Sequence, residues 1–174
     1  MKLFSLVQKI LLLTFVVVMF SSCGYKPSAK YSRAIVGEKI STSVHISAHD
    51  PENTVLIKDS VDGAILEVFH ASLTSKKHSQ THLYLNVSDP KYTPLQYDRD
   101  GFVVSYRASV ILKIKRENKK GMKRYTARGS YDFSVVANAV ISDQERFDAI
   151  RYSAAKALRS FMAQVSAEGA REKN

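Results

Sequence analysis

The sequence predicts an α+β protein: a two-layer sandwich in which a four-stranded, mostly antiparallel sheet carries two helices on one face, in the order β-α-β-β-β-α. Three observations predict it. Four segments alternate apolar and polar residues, two others repeat apolar residues at helical spacing, and each strand segment is apolar on one side only. A sheet with one apolar face must bury that face, and two amphipathic helices supply the cover.

Val44, Ile46 and Ala48 alternate with His45, Ser47 and His49, which predicts a half-buried strand ended by Asp50-Pro51. A helix is expected next, from Glu52 to Ser75. Ile57, Val61, Ala64, Ile65, Val68 and Phe69 recur at helical spacing, Asp50 is available as a cap, and Pro51 suits the first helical position. Thr81, Leu83, Leu85 and Val87 alternate with His82, Tyr84 and Asn86, giving a second strand. The Pro-containing stretch Asp89 to Gly101 reads as a loop.

Phe102, Val104, Tyr106, Ala108, Val110, Leu112 and Ile114 form one face of a third strand, with Ser105, Arg107, Ser109, Lys113 and Lys115 on the other. At ~3.3 Å per residue this stretch covers ~40 Å, so strong twisting or protrusion is expected. Beyond Asn118-Lys119-Lys120-Gly121 the alternation resumes, with Tyr125, Ala127, Tyr131, Phe133 and Val135 apolar. Opposed residues of a hairpin share a face, so paired positions here must sum to an odd number. A sum of 239 leaves a four-residue loop and sets Lys115 opposite Arg124, Ile111 opposite Arg128 and Arg107 opposite Asp132; sums of 237 and 241 also satisfy the rule. The last element is a helix from Ser142, with Glu145 three residues on as a capping box, to Ala167. Its stripe is Phe147, Ile150, Ala154, Ala157, Leu158, Phe161 and Val165.

The N-terminal segment has a different character. Lys2 and Lys9 precede an apolar run, Ile10 to Phe20, and then Ser21-Ser22-Cys23. The run is too short to cross a bilayer core of ~30 Å but fits the centre of a signal peptide. The organisation expected is therefore a removed leader at 1–22, a tether at 23–40, one domain at 41–168 and a C-terminal tail at 169–174. The cleavage motif resembles the bacterial lipobox, with Phe20 where Leu is usual, which implies that Cys23 is acylated. Gly24 in place of Asp resembles an outer-membrane sorting address, and so implies a double-membraned organism. Acyl chains contribute ~0.8 kcal/mol per buried CH₂, and stable anchoring takes at least two signals.

Cys23 is the only cysteine. Once it is acylated, no thiol remains for disulfides, Fe–S clusters or nucleophilic catalysis. The chain holds 26 Lys and Arg against 16 Asp and Glu, of which the leader accounts only for Lys2 and Lys9, so anionic partners are favoured. Nucleic acid suits the charge but not the compartment. An anionic lipid, a polyanionic glycolipid or an acidic protein wall suits both.

Catalysis finds no constellation in the sequence. His45 and His49 share a strand face but stand ~13 Å apart at strand rise, too far to hold one metal, and His78 and His82 share the problem. Asp98-Arg99-Asp100-Gly101 opens like a calcium loop, yet Ser109 falls where the bidentate Glu belongs, and a turn is the better reading. Ser153-Ala154-Ala155-Lys156 matches a Ser-x-x-Lys motif without the Lys-Thr-Gly that accompanies it. The seven glycines form no phosphate loop. No enzyme, metal or cofactor is expected.

The remaining feature is basic. Lys113, Lys115, Arg116, Lys119, Lys120, Lys123, Arg124 and Arg128 lie within sixteen residues, opposed by Glu117 alone. A solvated hairpin tip explains such a run, and so does an anion-binding surface. Like charges opposed across strands cost up to ~1 kcal/mol, which a negatively charged partner offsets.

Together these residues resemble the LPS-assembly lipoprotein family LptE, the partner of the outer-membrane barrel LptD. The carrying residues are Cys23-Gly24-Tyr25, Asp98-Arg99-Asp100-Gly101 before a strand with Tyr106-Arg107, then Tyr131-Asp132-Phe133, Asn138-Ala139 and the terminal amphipathic helix. The resemblance implies a non-enzymatic outer-membrane lipoprotein that plugs an LptD-type barrel in a 1:1 complex, helps it assemble and contacts lipopolysaccharide. It also makes Lys113, Lys115, Arg116, Lys119, Lys120, Arg124 and Arg128 candidate lipopolysaccharide contacts. The alternative is a structural envelope lipoprotein bound to peptidoglycan or to another assembly complex, which would not need the basic hairpin.

Overall fold

In the computed structural model, residues 35–46, 51–69 and 73–171 are described. The leader, Cys23, His49 and the Asp50 cap lie outside them. The elements are β1 (Ile40–Ile46), α1 (Pro51–Phe69), a 3-10 turn at Lys76–His78, β2 (Thr81–Val87), β3 (Lys91–Tyr97), β4 (Val103–Asn118), β5 (Gly121–Ser134) and α2 (Asp143–Arg171).

The two-layer α+β architecture is as the alternation predicts, but the sheet has five strands and not four. The stretch from Asp89 to Gly101, expected as loop, contains β3, which pairs antiparallel with β4 from Lys91 opposite Ser109 to Tyr97 opposite Val103. Its other edge is free of strand pairing among the described residues, which is where a strand can carry a proline such as Pro94. β2 and β3 share one edge of β4, end to end. β2 runs opposite Asn118 to Leu112, and Ser88 then continues the register, its N–H donating to the Ile111 carbonyl (3.0 Å) while its Oγ accepts from the Ile111 N–H (3.1 Å). The length of β4 is explained by this sharing, since one half binds β2 and the other β3. β5 pairs along the whole opposite edge.

That last pairing has the 239 register, with Lys115 opposite Arg124, Ile111 opposite Arg128 and Arg107 opposite Asp132. Arg107 donates to both Asp132 oxygens at 2.7 Å across the two strands. The turn at Gly121 takes a φ of 120°, a left-handed conformation that glycine adopts without steric cost. Asp98 accepts from the N–H groups of Asp100 and Phe102, fixing the turn into β4.

β1 is parallel to β2, Ile40 facing Thr81 and Ile46 facing Val87, with α1 as the crossover. α1 is shorter than expected. Instead of helix to Ser75, Leu73 bridges to Ile40 and the Thr74 N–H donates to the Ile40 carbonyl at 2.8 Å, so the chain has already returned to the sheet. α2 begins with the predicted capping box: the Glu145 N–H donates to Ser142 Oγ (3.3 Å) and the Ser142 N–H to Glu145 Oε2 (2.8 Å). It runs past Ala167 to Arg171 and buries Gly169, so the first residues of the expected tail are helix.

The core lies between the helices and one sheet face. Leu83, Leu85, Val87, Val110, Leu112, Ile114 and Ala127 meet Val61, Ala64 and Ile65 of α1 and Ile150, Leu158, Phe161 and Val165 of α2. Each such large side chain contributes ~1.5–3 kcal/mol when fully buried. Ile35 and Val36, expected within the tether, belong to this core and are 4% and 1% exposed. The opposite sheet face has no helix on it among the described residues.

Candidate functional site

The open face is organised in rows by the strand registers. Ser43, Tyr84, Lys115 and Arg124 form one row across β1, β2, β4 and β5, and His45, Asn86, Lys113 and Thr126 form the next. Alternation puts these eight residues on the same side, and they line a depression of about 650 Å³. None of its described lining residues is acidic.

Tyr84 organises the centre of this surface. Its ring lies under two ammonium groups, Lys115 Nζ at 5.1 Å and Lys76 Nζ at 5.3 Å from the centroid. Lys76 also donates to the Tyr84 hydroxyl at 3.1 Å, and that bond holds the Lys76 pKa above its ordinary value. Cations, hydroxyls and an amide line the depression, a donor set for phosphate or carboxylate oxygens, with the Glu117 carboxylate in the next row opposite His82.

The structure divides the sequence-predicted basic residues into three groups. Lys113, Lys115 and Arg124 line the depression, and Arg128 lies one step further along the same face, opposite Ile111. Lys119 and Lys120 occupy the hairpin turn and border a second groove with Ile35, Gln80 and Asn118. Arg116 does not belong with either group. Its position in β4 faces α2, and its side chain is 7% exposed beneath the end of that helix, donating to Glu168 Oε1 at 3.2 Å. Glu168 also accepts from the Tyr125 hydroxyl at 2.6 Å and pairs with Lys123 at 3.0 Å. Burial pushes the Glu168 carboxyl up, but the hydrogen bonds from Tyr125 and Lys123 and the Arg116 charge outweigh it and hold the pKa below its ordinary value. Arg116 is therefore withdrawn as an anion contact: odd positions of β4 face outward and even ones inward.

Sequence reading set His82 aside as one of two widely spaced histidines, yet it joins β1 to β2. Its Nδ1 lies 2.7 Å from Ser41 Oγ and its Nε2 3.0 Å from Ser43 Oγ. Ser41 donates on to Ser79 at 2.8 Å, and Ser79 donates to the Lys76 carbonyl at 2.9 Å. One direction of donation satisfies the whole chain: the Ser43 hydroxyl to Nε2, then Nδ1–H to Ser41. That direction requires a neutral ring. Burial first, and the Lys76 charge second, lower the His82 pKa accordingly. The signal in the sequence was Ser41 and Ser43 at alternate positions of β1, legible only once the parallel register is known. His78 bonds locally to Ser75, and His45 stands in the second row of the open face.

No curated protein matches the chain. Among solved structures, a Caulobacter crescentus CB15 protein described as a lipoprotein aligns with 11% identity over 83% of this chain and 98% of its own, at a TM-score of 0.46. A minor lipoprotein from Acinetobacter baumannii gives 11% identity, 75% and 92% coverage and 0.41. The rare lipoprotein B from Shewanella oneidensis gives 10% identity, 76% and 92% coverage and 0.35. A family model described as LptE, lipopolysaccharide-assembly, matches residues 41–165, from the start of β1 into the last turns of α2. Since that match takes in all five strands and both helices of the fold, the chain belongs to the LptE lipopolysaccharide-assembly family.

Proposed function

We propose that this lipopolysaccharide-assembly protein is an outer-membrane lipoprotein, acylated at Cys23, that plugs and helps assemble an LptD-type barrel as a 1:1 partner and contacts lipopolysaccharide through its open sheet face. The observation that carries this reading is the depression where Lys113, Lys115 and Arg124 converge with no acidic residue among its described lining. Lipopolysaccharide presents phosphates, and each charge-assisted contact contributes about 1.5–3 kcal/mol. The face is also free of helices among the described residues, so a large amphiphile can lie across it.

Replacing Lys115, Arg124 and Arg128 together by Glu is expected to weaken lipopolysaccharide binding by at least about tenfold while leaving the melting temperature unchanged. Unchanged binding sinks the open-face assignment. The barrel partnership has its own test: purification under mild detergent is expected to recover a large β-barrel in equal amount, and a persistently monomeric lipoprotein removes the plug reading.

A further inference from the structure

The topology gathers one set of chain ends at a single pole. β1 and β2 start there, β4 ends and β5 starts there, and α2 finishes there, because β1 and β2 are parallel, β4 opposes them and Glu168 reaches Arg116. Ile35 lies at the same pole, where Asn118 Nδ2 donates to its carbonyl at 3.1 Å. The polypeptide coming from Cys23 therefore enters the domain beside the β4–β5 turn. Lys39, Lys119 and Lys120 are exposed here, and Met122 at the turn is 54% exposed; Glu38 and Glu117 are the exposed acids beside them.

The twelve peptide steps from Cys23 to Ile35 span at most roughly 40 Å, so an anchor at Cys23 lies within that distance of this pole. Single attachments of that kind are completed in other systems by a basic patch on the headgroups. We propose that this pole is a docking surface for the anionic phospholipid headgroups of the membrane that holds the anchor, with Lys39, Lys119 and Lys120 over the phosphates and Met122 entering the interface. This rests on the reading that Cys23 is acylated. Three observations favour a lipid surface: the chain enters at this pole, three exposed lysines outnumber the two exposed acids among the described residues there, and an apolar side chain stands at its tip. The tether keeps the pole near headgroups, so weak contacts suffice to orient the domain. These lysines are distinct from Lys113, Lys115, Arg124 and Arg128, so the two surfaces can be separated.

The test uses the chain from residue 24 onward, which carries no acyl group and contains every described element and core residue. Its sedimentation with phosphatidylethanolamine vesicles is compared with and without phosphatidylglycerol. Binding is expected only with phosphatidylglycerol, falling roughly fivefold for each lysine replaced by Gln and about a hundredfold for Lys39→Gln, Lys119→Gln and Lys120→Gln combined. The corresponding triple change to Arg is expected to keep binding, and Met122→Ser to weaken it. Equal sedimentation with neutral vesicles, or wild-type binding by the triple Gln variant, overturns the proposal. A parallel measurement with lipopolysaccharide separates the two readings. The triple Gln variant is expected to bind lipopolysaccharide as wild type does, and the open-face Glu variant to bind vesicles as wild type does. If the open-face variant keeps lipopolysaccharide binding, the open-face reading fails and the docking surface stands. If it is that variant which loses the vesicles, the docking surface fails.

Discussion

Gly129 of β5 faces Ser153 of α2 with no space for a side chain between them: a Cβ on Gly129 would overlap the Ser153 carbonyl oxygen and crowd the Ala157 amide. Both obstacles are backbone, so no rotamer change relieves them. Ser153, Ala154 and Ala157, all buried, are small enough to let α2 come this close, and Ser153 uses the approach to donate to the Ala108 carbonyl at 3.1 Å. Gly129→Ala is therefore expected to destabilise the fold by about 3 kcal/mol, read from urea unfolding. A loss below ~1 kcal/mol would show that α2 slides without cost.

The Arg116–Glu168 pair is held at 7% and 13% exposure. Removing one partner leaves a buried charge uncompensated, and Glu168→Leu is expected to cost about 3 kcal/mol. The double variant Arg116→Met, Glu168→Leu is expected to recover most of that, because no buried charge is then left unpaired, Lys123 being 53% exposed. Equal losses in the single and double variants would mean that the ion pair itself, and not the orphaned arginine, dominates. Since the Glu168 pKa is lowered in the fold, its contribution is present above the unfolded carboxyl pKa and is lost as pH falls through the folded value.

His82 titrates with the opposite consequence for charge but the same direction in pH. Its pKa is lowered by burial and by Lys76, so the unfolded chain binds a proton before the folded one does. The stabilisation is fully present above the unfolded value of about 6.5 and declines as pH drops below it toward the folded value. Urea midpoints measured between about pH 8 and pH 5 are expected to fall, and His82→Gln to flatten that fall. An unchanged slope in the variant would assign the dependence to other groups.

Cys23→Ala is expected to impair delivery and assembly in cells more than it impairs the folded domain's affinity for the proposed LptD-type barrel. Reconstitution of the unlipidated domain with the barrel checks this, and failure to form a complex refutes it.

The β4–β5 hairpin was the most legible part of the fold because both strands carry charge on one side and apolar residues on the other, so only a few registers keep the faces matched. Arg107 and Asp132, opposite in sign, sit opposite in space. β3 was illegible for the converse reason. Its residues, Tyr92 apart, are largely exposed, so burial imposed no alternation, and Pro94 reads as a breaker until the strand is known to be an edge. The basic site was half legible. Composition along 113–128 located the charges, but assigning Arg116 to the inner face required strict parity. Tyr84 and Lys76 join the site through β2, whose adjacency to β4 is a long-range fact that local spacing does not contain.

The parallel pairing of β1 with β2 has a mechanical meaning. If Cys23 carries the proposed anchor, tension arriving at Ile35 reaches β1 from its first residue. Directed along the strand, that tension loads the seven paired positions from Ile40 to Ile46 together in shear and not one at a time. On the proposed acylation of Cys23, tension between anchor and domain is thus carried by the sheet itself.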